Sequence, residues 1–436
     1  MIYIFVITYI LFFIINTMLY KKKINLLNTI DTIWVSITIL SMFGFYDMYI
    51  PDRTTYIYIL YFLYSINVFS WIFNKFVKTK NKKNKNEFKD IMLYKKTNLI
   101  FMLVIIILIP FMYNSMKIIF NGGTFSNVRD AYLNCEVNDN KLQMFISLMI
   151  VPLGNAIGIY SIIISIQNKK VNTTNILYAF FLLENIIFTG GRSIIVNLAI
   201  IMIIILLDNY NNIIKLIKNN KKIIVILGVI IFTLGIITLQ RNLRGKGLLY
   251  NLYCYSVGNI HLLGKYVKNP QYYLLTKENI LYGQILISGF AYPVTFLLRL
   301  LGIDVKAGLY ILNEITQKYV QISSDTTINN SVTVIVYALR DFGTVGIFIY
   351  SAIIAFFYNY LKKKKEKNGN ILNKAIYYYF IKCAIFLFSE FQFANSATIF
   401  TFIYFIIIYK LCFYKDYYYK GCENKDDDKS NITFFG

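Results

Sequence analysis

MIYIFVITYILFFIINTMLYKKK, residues 1–23, decides what kind of protein this is. Residues 2–20 carry no charge. As a helix, a run of that length reaches about 30 Å, the thickness of a bilayer's hydrocarbon core. Lys21, Lys22 and Lys23 follow at once. A secretory leader places its positive charge ahead of the apolar run and ends on small residues, whereas this stretch does neither. It reads as a membrane helix that starts outside and ends at a cytoplasmic lysine cluster.

The pattern recurs along the chain. Further lysine-rich segments run from Lys75 to Lys96, at Lys169-Lys170, from Lys215 to Lys222 and from Lys362 to Lys367. Placing all of them in the cytoplasm yields an all-α polytopic membrane protein of about 11 transmembrane helices. The spans fall near residues 2–20, 30–48, 56–74, 98–119, 144–166, 174–189, 193–208, 223–240, 343–361, 373–391 and 396–413. The N-terminus is then outside and the C-terminus inside. The organisation follows: residues 1–240 form an N-terminal bundle, 241–337 a large extracytoplasmic loop, 338–413 the C-terminal helices and 414–436 a cytoplasmic tail. A connection as long as 241–337 is uncommon without structure of its own and is usually functional. Within it, the apolar stretch Ile285 to Leu301 is broken by Gly289 and Pro293 and reads as re-entrant or interfacial helices, with a tight pair of spans as the alternative. The tail, with Lys425-Asp426-Asp427-Asp428-Lys429, reads as a solvated end.

Composition agrees. The chain has 436 residues, 57% of them hydrophobic and only 15% charged, against roughly 25% charged in a soluble domain. The net charge of +23 sits largely in short loops beside apolar runs. The positive-inside bias accounts for it, so nucleic acid is not an expected partner. Five cysteines without a CxxC or His-paired spacing indicate no metal site, and no cofactor is expected.

With this topology, the seven arginines (Arg53, Arg129, Arg192, Arg241, Arg244, Arg299 and Arg340) all fall on the outer side, opposite most lysines. Arginine presents a planar fork that matches phosphate and carboxylate, so an anionic ligand is expected there. Three segments stand out. Thr189-Gly190-Gly191-Arg192-Ser193 is a tight turn between two apolar runs, with Glu184 two helical turns earlier on roughly the same face. An acid inside a span is a functional candidate by default; the plain alternative is a snorkelling Arg192 with Glu184 as its structural partner. Gln240-Arg241-Asn242-Leu243-Arg244 follows a span, and its two arginines share a face if the helix continues; the plain alternative is a lipid-headgroup contact. Asn330 to Gly343 crowds Asn330, Tyr337, Arg340 and Asp341 at the entry of another span; there the plain alternative is an interfacial cap. His261, the only histidine, lies in the outer loop as a candidate for proton transfer, although a lone histidine is more often structural.

In this order, these segments resemble the O-antigen and capsular polysaccharide repeat-unit polymerases, the Wzy family. The likeness rests on Thr189 to Ser193 between two spans, Arg241 and Arg244 opening the large outer loop, and Asn330 through Gly343 leading into the next span with Gly346. The spaced Arg-to-Gly loop motifs of better-studied members are not reproduced cleanly around Arg241 to Gly258. The resemblance implies a metal-independent, GT-C-like glycosyltransferase in a bacterial cytoplasmic membrane. It would join oligosaccharide repeats carried on undecaprenyl pyrophosphate, beside a flippase and a chain-length regulator. In that frame Arg192, Arg241, Arg244 and Arg340 bind pyrophosphate, with Asn330 and Tyr337 as further substrate contacts. Asp341, Glu184 and His261 are the candidates for base or sugar contact. A lipid-linked glycan ligase shares this architecture. A flippase would show two similar halves, and a membrane scaffold leaves the outer arginines and Glu184 unexplained.

Overall fold

The computed structural model describes residues 1–21, 25–77, 87–137, 141–191, 193–219, 247–328 and 332–418. The first apolar run is the helix α1 (Ile2–Tyr20), followed by α2 (Leu26–Ser41) and α3 (Arg53–Phe76). A short strand, β1 (Glu87–Met92), leads into α4 (Tyr94–Phe120) and α5 (Phe125–Val137). The next long helix has three parts: α6 (Lys141–Phe145), a π-helical turn at Ile146–Ile150, and α7 (Val151–Asn168). After α8 (Thr173–Thr189) and α9 (Ser193–Asn219) comes α10 (Leu248–Lys268). Then α11 (Ser288–Leu300), α12 (Gly308–Thr316) and a small ladder of β2 (Val320–Gln321) with β3 (Thr327–Ile328) precede α13 (Val334–Phe342). The chain closes with α14 (Thr344–Asn368), α15 (Ile371–Ile385), α16 (Ser396–Cys412) and β4 (Phe413–Tyr418).

Six helices among the described residues are long and apolar enough to cross a membrane, and four shorter apolar helices accompany them. Their outer faces are apolar. On α1, Tyr3, Ile7, Leu11, Ile14 and Met18 are exposed, and on α4 so are Leu99, Met102, Leu103 and Ile106. Water does not tolerate apolar stripes of this extent on a soluble protein, whereas lipid does. The helix that follows the first lysine cluster ends earlier than the expected 30–48 run. Gly44, Tyr46 and Asp47 take left-handed backbone angles (φ 57°, 62° and 57°), so the chain turns after Ser41. The span expected over 223–240 lies outside the described residues.

The segment expected as a large loop with helices of its own contains α10, α11 and α12 among its described residues. At 13 residues, α11 is about 20 Å long, too short to cross the core alone. Its Phe290, Val294, Leu297 and Leu301 form an exposed stripe at helical spacing, the pattern of an interfacial helix. The tail also begins as structure rather than as a free end, because β4 pairs antiparallel with β1, Met92 opposite Phe413 and Glu87 opposite Tyr418.

Contacts gather the lysine segments at one end of the bundle. Lys362 stands over the Tyr20 ring at 4.0 Å, and Lys363 donates to the backbone carbonyls of Asn74 and Val77. Asp90 in β1 accepts from the Ile371 amide (2.7 Å) and the Tyr409 hydroxyl (2.8 Å). Thr174, just past Lys169-Lys170, bonds Asn98 near the start of α4 (2.6 Å). Lys365 pairs with Asp208 on α9. The turns at the other ends of the same helices form the opposite face.

Candidate functional site

The clearest polar construction on that opposite face starts at α13. Gly346 lets α13 and α14 meet closely, since a Cβ there would lie 2.0 Å from the Ala338 carbonyl oxygen. The tight turn between the helices holds Arg340 and Asp341 against the segment 274–286. One guanidinium nitrogen of Arg340, Nη1, donates to the carbonyls of Leu274 (2.5 Å) and Asn279, while the Leu281 amide donates to the Arg340 carbonyl (3.0 Å). Asp341 Oδ1 accepts from the Ile285 amide (3.0 Å), and Oδ2 from the Leu286 amide (2.9 Å) and the Tyr350 hydroxyl (2.6 Å). Burial pushes the Asp341 carboxyl above the usual carboxylate range, against the pull of Tyr350 and the amides of Ile285 and Leu286.

The held segment is strained as well as tethered. Leu274 and Tyr282 adopt positive φ (52° and 49°), a conformation that costs a residue with a Cβ about 1–3 kcal/mol. Such strain persists where surrounding contacts over-determine the backbone, as Arg340 and Asp341 do here. On its outer side lies a shallow cleft of about 300 Å³ lined by Gln271, Thr276, Lys277, Glu278 and Asn279. Tyr272 and Tyr282 are both exposed, in the same segment. The amides, hydroxyl, cation and carboxylate that line the cleft suit a hydroxylated ligand carrying negative charge.

Of the residues singled out by sequence, Tyr337, Arg340 and Asp341 come together here. Tyr337 lies beneath, its ring 5.8 Å from Phe391, which also packs on Tyr350 at 4.8 Å. Asp341 is fully buried with both oxygens occupied. The structure therefore gives it a holding role and not the open position that a base needs. Arg340 is 4% exposed and is likewise spent on carbonyls, so in this conformation it does not face a pyrophosphate.

His261 lies elsewhere and is also closed off. Its Nδ1 meets the Tyr49 carbonyl at 2.5 Å and its Nε2 the Tyr253 hydroxyl at 3.4 Å. Burial pushes its pKa down to about 4, against the pull of the Tyr49 carbonyl. It ties α10 to the 44–52 turn, with both ring nitrogens engaged. Glu184 sits on α8 among α4, α5, α7 and α9, with its Oε2 buried and lacking a partner among the described residues. The neighbouring turn packs on α5, where Gly190 (φ 58°) admits the Phe125 carbonyl and the Arg129 backbone. Arg192, Arg241, Arg244 and Asn330 lie outside the described residues.

Several polar residues escaped the sequence reading. Lys277 and Glu278 line the cleft, yet in sequence they look like any exposed loop charges. Lys382 is buried in α15 and donates to Gln392 Oε1 at 2.7 Å. Asp31 is buried between the first three helices and accepts from Asn16 (3.3 Å) and Asn67 (2.9 Å). For these last two a signal existed, since the same rule that flagged Glu184 covers any ionisable group inside a span.

Fold and surface define a multi-pass helical membrane protein with a polar cleft lined by Gln271, Thr276, Lys277, Glu278 and Asn279. Compared with protein-family models, curated proteins and solved structures, the chain matches none of them.

Proposed function

We propose that this protein polymerises lipid-linked oligosaccharide repeat units into a surface polysaccharide at the outer face of a bacterial cytoplasmic membrane. The substrate class comes from the resemblance of its arginine-bearing segments to the repeat-unit polymerases. The observation that carries the reading is the cleft over the Arg340–Asp341 latch: a strained, tethered segment that presents Lys277, Glu278 and two exposed tyrosines away from the lysine end.

In the step itself, a hydroxyl oxygen of one repeat attacks the anomeric carbon of a second glycan. A new carbon–oxygen bond forms, and the bond from the anomeric carbon to the lipid pyrophosphate breaks. The electron pair leaves with the pyrophosphate, and the hydroxyl proton passes to a base. Glu278 is the carboxylate that lines the cleft, so it takes the role of base in place of Asp341. Charge developing on the leaving group calls for cations already in place. Lys277 supplies one at the cleft, and Arg192, Arg241 and Arg244 are the candidates among the remaining loop residues. Arg340 and Asp341 act as positioning residues, through the backbone they hold.

The test is deletion of the gene followed by gel analysis of surface glycan, then complementation. Loss of a polymerase leaves single repeats exported, with no ladder. Repeats trapped inside the cell would replace this reading with that of a flippase, and polymer missing only from its final acceptor would indicate a ligase. Complementation with Glu278→Gln is expected to lower polymer output by about 100-fold or more at unchanged protein level. A wild-type ladder from that variant removes Glu278 from the mechanism.

A further inference from the structure

Pro152 is the second residue of α7, and it shapes the turn before it. The Val151 amide bonds the Ile146 carbonyl across the π turn, and a proline has no N–H to give. The Ser147 carbonyl is therefore left without a helical donor. Single π turns inside helices are rare and are frequent at functional sites. Contacts then set α8 against this turn. A Cβ at Gly158 would strike the Tyr178 ring and one at Gly154 the Phe181 ring, so the two helices run antiparallel in close contact. Further along, Tyr132 bridges them: its hydroxyl shares a hydrogen bond with Ser147 Oγ (2.9 Å), and its ring packs on Phe188 (5.2 Å). Glu184 and Asn185 share a helical face with Phe181 and Phe188. They fall between those contacts, level with the end of the π turn.

The next helix, α9, packs on α8 and reaches the same depth. Glu184 stands five residues before Thr189, the end of α8, and Asn197 four residues after Ser193, the start of α9. Both therefore lie about 6–8 Å from the turn that joins the two helices. Around this level three buried polar atoms have no partner among the described residues: Glu184 Oε2, Asn185 Nδ2 and Asn197 Oδ1. Glu184 is 7% exposed and Asn185 3%. A buried carboxylate without a counter-charge is costly. Arg129, the cation of the neighbouring α5, is turned to the Tyr132 ring, 5.3 Å from its centroid.

The chemistry selects the occupant. Two of the three atoms are oxygens, and the Ser147 carbonyl adds another. Hard oxygen donors that carry one negative charge between them suit a small monovalent cation. A divalent ion calls for more carboxylates, and among the described residues no three His, Cys, Asp or Glu gather. An anion is opposed by Glu184, with Arg129 engaged on its ring. We infer that Glu184, Asn197 and the Ser147 carbonyl form a sodium-binding site inside the bundle, which fixes the turn between α8 and α9. As a donor, Asn185 Nδ2 does not ligate the ion; a water on the ion satisfies it.

The test uses the purified full chain in lipid nanodiscs, unfolded by heat in sodium chloride or in choline chloride at equal ionic strength. Sodium is expected to raise the unfolding temperature saturably, as a ligand of the folded state does. Binding of radioactive sodium then gives the affinity. Glu184→Gln is expected to weaken it about tenfold or more, and Asn197→Ala several-fold. Pro152→Ala returns a donor to the Ser147 carbonyl and is expected to weaken binding as well. Asn197→Ala, a smaller change on α9, decides the matter if Glu184→Gln does not fold. Equal unfolding temperatures in the two salts would overturn the site, and so would wild-type sodium affinity in both Glu184→Gln and Asn197→Ala. None of these readouts depends on the polymerase reading, which stands or falls with the glycan ladder.

Discussion

The two ends of the bundle use charge in different ways. At the lysine end, ammonium groups rest on rings and carbonyls already fixed by neighbouring helices: Lys362 on Tyr20, Lys363 on the carbonyls that end α3, Lys365 on Asp208. Its residues with positive φ, Lys21 and Lys169, are ordinary helix C-caps. At the opposite end, Arg340 and Asp341 reach more than fifty residues along the chain to hold a segment by its backbone. The residues other than glycine with positive φ there, Tyr46, Asp47, Leu274 and Tyr282, cap no long helix. One end lays its cations on contacts between helices, and the other uses charge to hold loops in conformations they would not adopt alone.

This contrast can be broken experimentally. Replacing Asp341 with Ala leaves two buried amides and a tyrosine hydroxyl without their acceptor, a loss expected to cost about 3–5 kcal/mol. Unfolding of the detergent-solubilised protein, with proteolysis appearing inside 274–286, checks this; an unchanged stability would dissolve the latch. His261 titrates at about 4 in the fold and 6.5 when unfolded. Between those values the unfolded chain binds more protons, so stability falls as pH drops through the window. The full loss is about 3 kcal/mol, at about 1.4 kcal/mol per unit. His261→Gln should flatten that slope in unfolding measured from pH 7 to 4.5, and equal slopes would deny that tie.

Smaller effects separate the ends further. Arg340→Lys keeps the charge but loses the planar fork that serves two carbonyls. A cost of about 2 kcal/mol is expected, with shortened polymer, read by unfolding and by gel. At the lysine end, Asp90→Ala removes the acceptor at the start of α15, for a loss of about 1 kcal/mol. Ladder length should not change. If it did, the division between a lysine end and a working end would be too sharp.

Much of the bundle was legible from sequence because its signals are local. Apolar runs bounded by lysines marked α1, α3, α4, α8 and α16 within a few residues, since each helix satisfies its own backbone and needs only length and apolarity. The short end of α2 was less legible, because left-handed angles at Tyr46 and Asp47 have no signature in those side chains. The β1–β4 pairing was not legible at all: it joins segments more than 300 residues apart, one of which reads as a charged tail.

The site divides in the same way. Sequence picked out Tyr337, Arg340 and Asp341 as a dense polar group at a helix entry, and they are one. It did not reveal that the partners of Asp341 are the backbone amides of Ile285 and Leu286, since every residue but proline offers an amide. The sequence by itself determined the long apolar helices, because those follow from the transfer of side chains between water and lipid. Only the tertiary structure decided which polar groups stay open to a ligand. A carboxylate buried among amides and one at the lip of a cleft are the same letter until the chain is folded around them.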